Sequence, residues 1–340
     1  NLSESCPEHL KEELEKHQKK MRAFKKSFEI AKIDFRQHCF FDLVPHDFLK
    51  EFLEIKNQIT QHVFENSEIP EVYEHLAAVD KLLYKIRYRE LEVNVADCRG
   101  IMANYNFRSA ANKILNNPKY IDYNLFGTVT GRLSTHPGSF PILTMSKELR
   151  MLLKPQNDWY LSLDYNGAEA RTVLSLLDVP QPDCDVHQWN LENVLSSGVK
   201  TREEAKKTFF SWLYNPDSKI IQDSIYDRDA LLQKYYEDEH ISTIFGRKIK
   251  VDEYKALNYI IQSTTADLVN DRAVQLDKLL HGKKSFVSHI VHDEVVIDLH
   301  DEDRSLVPEI EKTFSNNKIG KYKTNMKAAK NYYDLEVLGI

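Results

Sequence analysis

Two short runs far apart in the chain, Leu163-Asp164-Tyr165-Asn166-Gly167-Ala168-Glu169 and Val291-His292-Asp293-Glu294-Val295, each place acidic residues immediately after a hydrophobic, strand-like stretch. Either run alone reads as an ordinary surface acid at a strand end. Taken together they constrain the fold, because Asp164 and Asp293 on adjacent strand ends can hold divalent cations over a phosphate. Mg²⁺ takes oxygen ligands, keeps several waters and is usually bound by one or two carboxylates with substrate phosphates. Two such ions roughly 3.5–4 Å apart activate an attacking hydroxyl, stabilise a leaving oxygen and hold an in-line displacement.

The surrounding texture is α+β. Residues 7–41 are rich in Lys, Glu, Leu and Ala without internal Gly or Pro, which predicts long helices, and Pro45 and Pro70 punctuate the next stretch of chain. Strand-like stretches at 159–163, 286–291 and 295–299 alternate with helical segments further on. The best-defined helix is 201–214, where Thr201 and Glu204 fit a capping box and Asn215-Pro216 a stop. Arg202, Lys206, Phe210 and Tyr214 recur along it at intervals of four, a stripe of two cations followed by two aromatics. Such a stripe suits a triphosphate and a nucleoside, and equally a partly buried amphipathic face.

With 340 residues and 42% hydrophobic content, the chain can bury a substantial core in two or three lobes. A net charge of −6 excludes a uniformly basic nucleic-acid coat but leaves room for a local track, and the densest basic cluster is Lys16, Lys19, Lys20, Arg22, Lys25 and Lys26. No apolar run approaches a membrane span, and the start, Asn1-Leu2-Ser3-Glu4, has no signal-peptide pattern. Cys6, Cys39, Cys98 and Cys184 are scattered without a Cys-x-x-Cys pair, which fits free thiols in a reducing, cytoplasmic setting.

Five segments taken in order carry a resemblance. They are Thr130-Gly131-Arg132-Leu133-Ser134, Asp164 to Arg171, the Arg202, Lys206, Phe210, Tyr214 series, the Asn258 and Gln262 pair, and His292-Asp293-Glu294. On these the chain resembles the family A DNA polymerases, the group of bacterial DNA polymerase I and related phage replicases. The resemblance implies a right-hand architecture: a palm built on an antiparallel sheet, fingers and a helical thumb. It divides the chain into a thumb-like lobe at 1–95, a first part of the palm at 96–180, fingers at 181–255 and a second part of the palm at 256–340. It also implies primer-template DNA and deoxynucleoside triphosphates as partners, with accessory replication proteins left open.

Residue by residue, the resemblance makes Asp164 and Asp293 ligands of two Mg²⁺ ions, for which Mn²⁺ can substitute, and Glu294 an auxiliary acid near the primer end. Lys206 and Arg202 would meet the triphosphate, Lys206 also donating a proton to pyrophosphate, and His187 would be a further triphosphate contact. Glu169 matches a steric gate against ribonucleotides. Phe210 occupies the position that sets tolerance of a missing 3′-hydroxyl, and as a Phe implies poor use of dideoxynucleotides. Tyr214 would stack near the template base, while Arg132, Asn258, Gln262 and His292 would contact primer-template through backbone and minor groove.

Three positions depart from the family: Gly167 replaces a Gln, Asn215 a Gly and Tyr254 an Arg. The segment from Tyr214 to Gly246-Arg247 is shorter than in bacterial members, and this compact fingers lobe implies a viral protein acting in host cytoplasm. No segment offers the acidic motifs of a proofreading exonuclease. A single-subunit RNA polymerase shares the architecture, but Glu169 as gate argues against it. A catalytically dead DNA-binding relative would be expected to have lost Asp164, Asp293 or Lys206.

Overall fold

The computed structural model describes all residues except 1, 36, 37, 117, 196, 197, 216, 219, 220, 222–224, 339 and 340, so Pro216, expected to stop a helix, lies outside the described residues. The chain forms two compact units, Asn1–Pro70 and Glu71–Ile340. Among the described residues no helix is long and apolar enough to cross a membrane.

The first unit is helical. Helices Lys11–Ile30 and His46–Asn66 enclose a small core of Cys6, Leu10, Leu14, Ile55 and Ile59. The helical reading of 7–41 is interrupted after Ile30, where Lys32 adopts φ +55°. The Lys32 and Ile33 amides donate to the Glu29 and Phe28 carbonyls, the Schellman pattern that closes a helix. A Lys in the position usually taken by Gly leaves no stop signal in the sequence. Lys16, Lys19, Lys20, Arg22, Lys25 and Lys26 are all exposed along the first helix.

The second unit is organised by a five-stranded, wholly antiparallel sheet in the order Glu336–Val337, Thr324–Ala329, Trp159–Tyr165, Glu294–Leu299, Phe286–Val291. The three strand-like stretches read from the sequence are therefore neighbours. Their residues are buried almost without alternation, so both faces of the sheet are covered. Helix Glu253–Leu279 packs on the strands Phe286–Val291 and Glu294–Leu299, and helix Val307–Ser315 on Thr324–Ala329 and the central strand Trp159–Tyr165. Tyr165 marks that second contact: its ring stacks on Phe314 at 4.4 Å and its hydroxyl donates to the Phe314 carbonyl at 2.7 Å.

A second hydrophobic cluster lies among the helices Ala168–Leu176, Val186–Asn193, Arg202–Tyr214 and Arg228–Tyr235 and a small three-stranded meander at 236–250. Helix Glu253–Leu279 belongs to both cores. Ala256, Leu257, Ile260 and Ile261 serve the helical cluster, while Leu268, Val269, Ala273, Val274 and Leu276 serve the sheet. Between them lies a buried polar stretch containing Ser263, Thr264, Thr265 and Asp267.

The edge strand Phe286–Val291 is closed by a side chain. Ile290 faces Val295 in the ladder, and the buried Tyr123 hydroxyl accepts from the Ile290 amide at 2.9 Å while donating to its carbonyl at 2.5 Å. One hydroxyl thus satisfies two backbone groups that an edge leaves open. Tyr123→Phe is expected to lower unfolding free energy by about 1–3 kcal/mol in urea titrations, since both groups stay buried without a partner. An unchanged midpoint would show that the edge is satisfied some other way.

Candidate active site

A cleft of about 600 Å³ opens where the sheet meets the helical cluster, lined by Arg132, Asp164, Glu169, His187, Arg202, Lys206, Phe210, Tyr214, His292 and Asp293 among others. These are ten of the thirteen residues singled out from the sequence. Glu294, Asn258 and Gln262 are not in the lining.

The acidic floor arises from strand register. Asp164 lies opposite Glu294 on one neighbouring strand and opposite Asn325 on the other. Val291 pairs with Glu294, so His292 and Asp293 form a two-residue turn that brings Asp293 to the same end of the sheet as Asp164. His292 sits at φ +58° in that turn, a left-handed conformation that costs a non-glycine residue about 1–3 kcal/mol. Burial and then the Asp293 charge push Asp164 up to about 7. Glu294 stands back from the cleft, its oxygens accepting from the Ser162 and Tyr332 hydroxyls.

This donor set fits divalent cations. Two carboxylates repel one another in a partly desolvated cleft, and a cation between them reverses that cost. Among the described residues no group of three or more His, Cys, Asp or Glu side chains converges as a metal cage. Mg²⁺ needs no such cage, because water and substrate phosphate complete its shell.

Just beyond the strand end, Gly167 adopts φ +66° and starts helix Ala168–Leu176. A Cβ there would stand 2.4 Å from Val186 Cγ1. The backbone conformation and the close approach both disfavour any side chain at this position. Arg171, fully buried, donates to the carbonyls of Asn166, Pro182 and Cys184 at 2.7–2.9 Å. It thereby ties the end of the central strand to the loop that carries Asp185 and His187. Sequence reasoning missed this role, although Arg171 as the only charged residue from Ala170 to Leu176 was the available signal.

Asp185 caps helix Val186–Asn193 by accepting from the His187 and Gln188 amides. It also accepts from Asn166 Nδ2 at 2.7 Å and from Arg202 Nε and Nη2 at 3.0 and 2.8 Å. Burial pushes its pKa up, but the hydrogen bonds from Arg202, Asn166 and Gln188 hold it well below the usual carboxylate range. The remaining Arg202 nitrogen, Nη1, meets Glu203 at 2.7 Å. Arg202 is therefore engaged within the protein, whereas Lys206, one turn on, is exposed at the cleft.

His187 is buried, and among the described residues its Nδ1 has no hydrogen-bond partner. Burial pushes it down to about 4, against the pull of Asp185 and with the push of Arg202 and Lys206. At neutral pH it is an uncharged imidazole lining the cleft.

Glu169 is also buried, and burial raises its pKa. It is ion-paired to Arg132 and accepts from the Tyr214 hydroxyl at 3.2 Å. The Phe210 and Tyr214 rings stack at 5.8 Å with 10° between planes. Gln262 reaches this web through a hydrogen bond with the Tyr214 side chain, while Asn258 Oδ1 is buried with no hydrogen-bond partner among the described residues. Arg132 comes directly after Gly131, whose φ is +76° and whose Cβ would lie 2.7 Å from the Arg247 guanidinium. That guanidinium is bonded twice to the fully buried Asp267, so a second ion pair, unread in the sequence, supports the Arg132 loop.

Asp185→Asn keeps a capping side chain but removes the charge that holds Arg202. It is expected to cost about 1–3 kcal/mol at pH 7. The folded-state pKa of Asp185 lies below its unfolded value, so its contribution is full above about pH 4 and fades as the pH falls through the folded value. Chemical denaturation of both proteins across pH should show their difference shrinking in acid; a constant offset would refute the ion-pair account.

No family model matches the chain, and none of the curated proteins does. Among solved structures, it is similar to the POL domain of Pol1 from M. smegmatis in complex with DNA primer-template and dNTP, with a TM-score of 0.59 and 13% sequence identity over 85% of this chain and 75% of that one. At that identity the likeness is one of fold: the chain has the fold of a polymerase domain.

Proposed function

We propose that this protein is a template-directed DNA polymerase of family A type, extending a primer 3′-hydroxyl with deoxynucleoside triphosphates and releasing pyrophosphate. The observation that carries the reading is the convergence, in one cleft, of Asp164 and Asp293 with Lys206, His187, Phe210 and Glu169. The shared fold supports it, since the similar M. smegmatis domain is described with primer-template DNA and dNTP. In this reading the sheet is the palm, residues 181–255 the fingers and residues 1–95 the thumb-like lobe, with palm segments at 96–180 and 256–340.

Asp164 and Asp293 would hold Mg²⁺, or Mn²⁺ in its place, which would supply the positive charge for activating the hydroxyl and stabilising the leaving oxygen. Glu294, fixed by Ser162 and Tyr332, supports the primer end from behind that pair. Lys206 offers the charge that a triphosphate needs as negative charge moves onto pyrophosphate, and is positioned to return a proton to it. His187 can donate one ring N–H to a phosphate oxygen without carrying charge itself. Arg202 acts through Asp185, fixing the start of the Lys206 helix, and reaches phosphate only by giving up that pairing.

Glu169, held by Arg132 and Tyr214, fills the place of the gate against a ribose 2′-hydroxyl. Phe210 and Tyr214 offer a stacked aromatic wall for sugar and base. Arg132 and His292 at the cleft contact primer-template, and Asn258 and Gln262 extend that contact along the long helix. Minor-groove acceptors are nearly the same for every correct pair, so such contacts test pair shape without reading sequence. The short segment between Tyr214 and Arg247 favours a viral member working in host cytoplasm.

Asp293→Ala is expected to reduce primer extension by at least about 10²-fold while leaving primer-template affinity nearly unchanged; extension near the wild-type rate would sink the assignment. Glu169→Ala should raise incorporation of NTPs relative to dNTPs in the same assay, whatever it does to the absolute rate. An unchanged ratio would remove Glu169 from sugar selection.

A further inference from the structure

From Cys98 to Lys147 the chain carries six Lys or Arg and one acid, Asp122, where the average density of its 52 acids in 340 residues would give about eight. The single acid is itself ion-paired, to Arg87 at 3.3 Å. A chain of net charge −6 thus contains one long segment nearly stripped of negative charge. Its carboxyl-terminal half includes Arg132 at the cleft, but its amino-terminal half has no place in the site described above.

That half contains helix Tyr105–Asn116. Its inner face, with Ala111 and Ile114 buried, packs on the main core. Its outer face carries Tyr105, Ser109, Asn112 and Asn116 at spacings of four, three and four, one stripe along the helix, with Arg108 and Lys113 on either flank. All six are exposed, Tyr105 at 84%, on one open face of the helix. Arg108 is steadied by its Nε, which donates to the Met102 carbonyl at 3.1 Å and leaves the Nη groups for a ligand.

We propose that this face is a second nucleic-acid contact, separate from the cleft, that takes a single-stranded segment. The cations flank the stripe as phosphates require. The amide and hydroxyl side chains between them can meet base edges, and an exposed Tyr offers a stacking platform that suits any base. A duplex presents no free base face to Tyr105, which favours the single strand. The contact itself does not rest on the polymerase reading.

The test is fluorescence anisotropy with labelled oligothymidylate and with a blunt hairpin duplex, with no nucleotide or divalent metal present, so that failure of the polymerase reading does not affect the outcome. Arg108→Ala/Lys113→Ala should weaken oligothymidylate binding and reduce the slope of log K against log salt by about 1.4. Tyr105→Ala should weaken it roughly 5-fold or more with the slope unchanged. Both variants should bind the duplex as wild type does and keep its circular dichroism and melting temperature. Wild type that does not bind oligothymidylate, variants that bind it normally, or variants that lose only the duplex would each overturn the proposal.

Discussion

The antiparallel register of the central strand is the constraint on which the rest of the second unit depends. With Asp164 opposite Glu294 and Asn325, three polar residues share one end of the sheet, and the His292-Asp293 turn projects from that end. A slip of one residue would turn Leu163 and Val295 to the faces they now avoid and carry Asp164 away from Asp293. The apolar burial of Leu161, Leu163, Val295 and Ile297 therefore fixes the position of the carboxylates as firmly as any contact between the acids could. Stability comes from the core, and the acidic end is carried at a local cost: repulsion at Asp164 and a strained His292.

The long helix Glu253–Leu279 transmits that position to the other wall of the cleft. Because its two halves are committed to different cores, the sheet and the helical cluster cannot separate without exposing one of them. The polar residues at its middle lie where the cores meet, and Thr265, Ala266 and Val269 line the cleft there. Asp267, one position on from Ala266, holds Arg247, against which Gly131 packs. The placement of Arg132 is thus referred back to the same helix that anchors the sheet.

Much of this was legible in the sequence wherever a local rule coincided with the tertiary one. The capping box at Thr201 and Glu204 forms as its spacing predicts, and the helix runs Arg202–Tyr214. The three strand-like stretches fall in the central sheet because continuous apolar runs of that length must be covered on both faces. What was not legible depends on partners distant in the chain. Lys32 ends a helix in a conformation its side chain disfavours. The requirement for Gly at 167 comes from Val186, packed against it from another element. Arg171 becomes structural only because the Asn166, Pro182 and Cys184 carbonyls converge on it. Spacing along the long helix does not say which of its turns face the cleft, and Thr265, Ala266 and Val269, which line it, carry no motif of their own.

The charges around the cleft divide into those already satisfied and those not. Arg202 with Asp185, Arg132 with Glu169 and Arg247 with Asp267 are mutually neutralised, and each joins two segments distant in sequence. They stiffen the walls, and a ligand must displace them to use them. Among the described residues lining the cleft, the Asp164 and Asp293 pair, whose repulsion a cation would relieve, and His187 Nδ1, which has no hydrogen-bond partner, are left in need. A simple anion would satisfy the imidazole and worsen the carboxylates; a simple cation would do the reverse. A metal-complexed triphosphate brings both charges at once, and Lys206, exposed in the same lining, adds a cation not committed to a wall. The unmet demand in the cleft thus matches the ligand of the proposed function in both signs of charge.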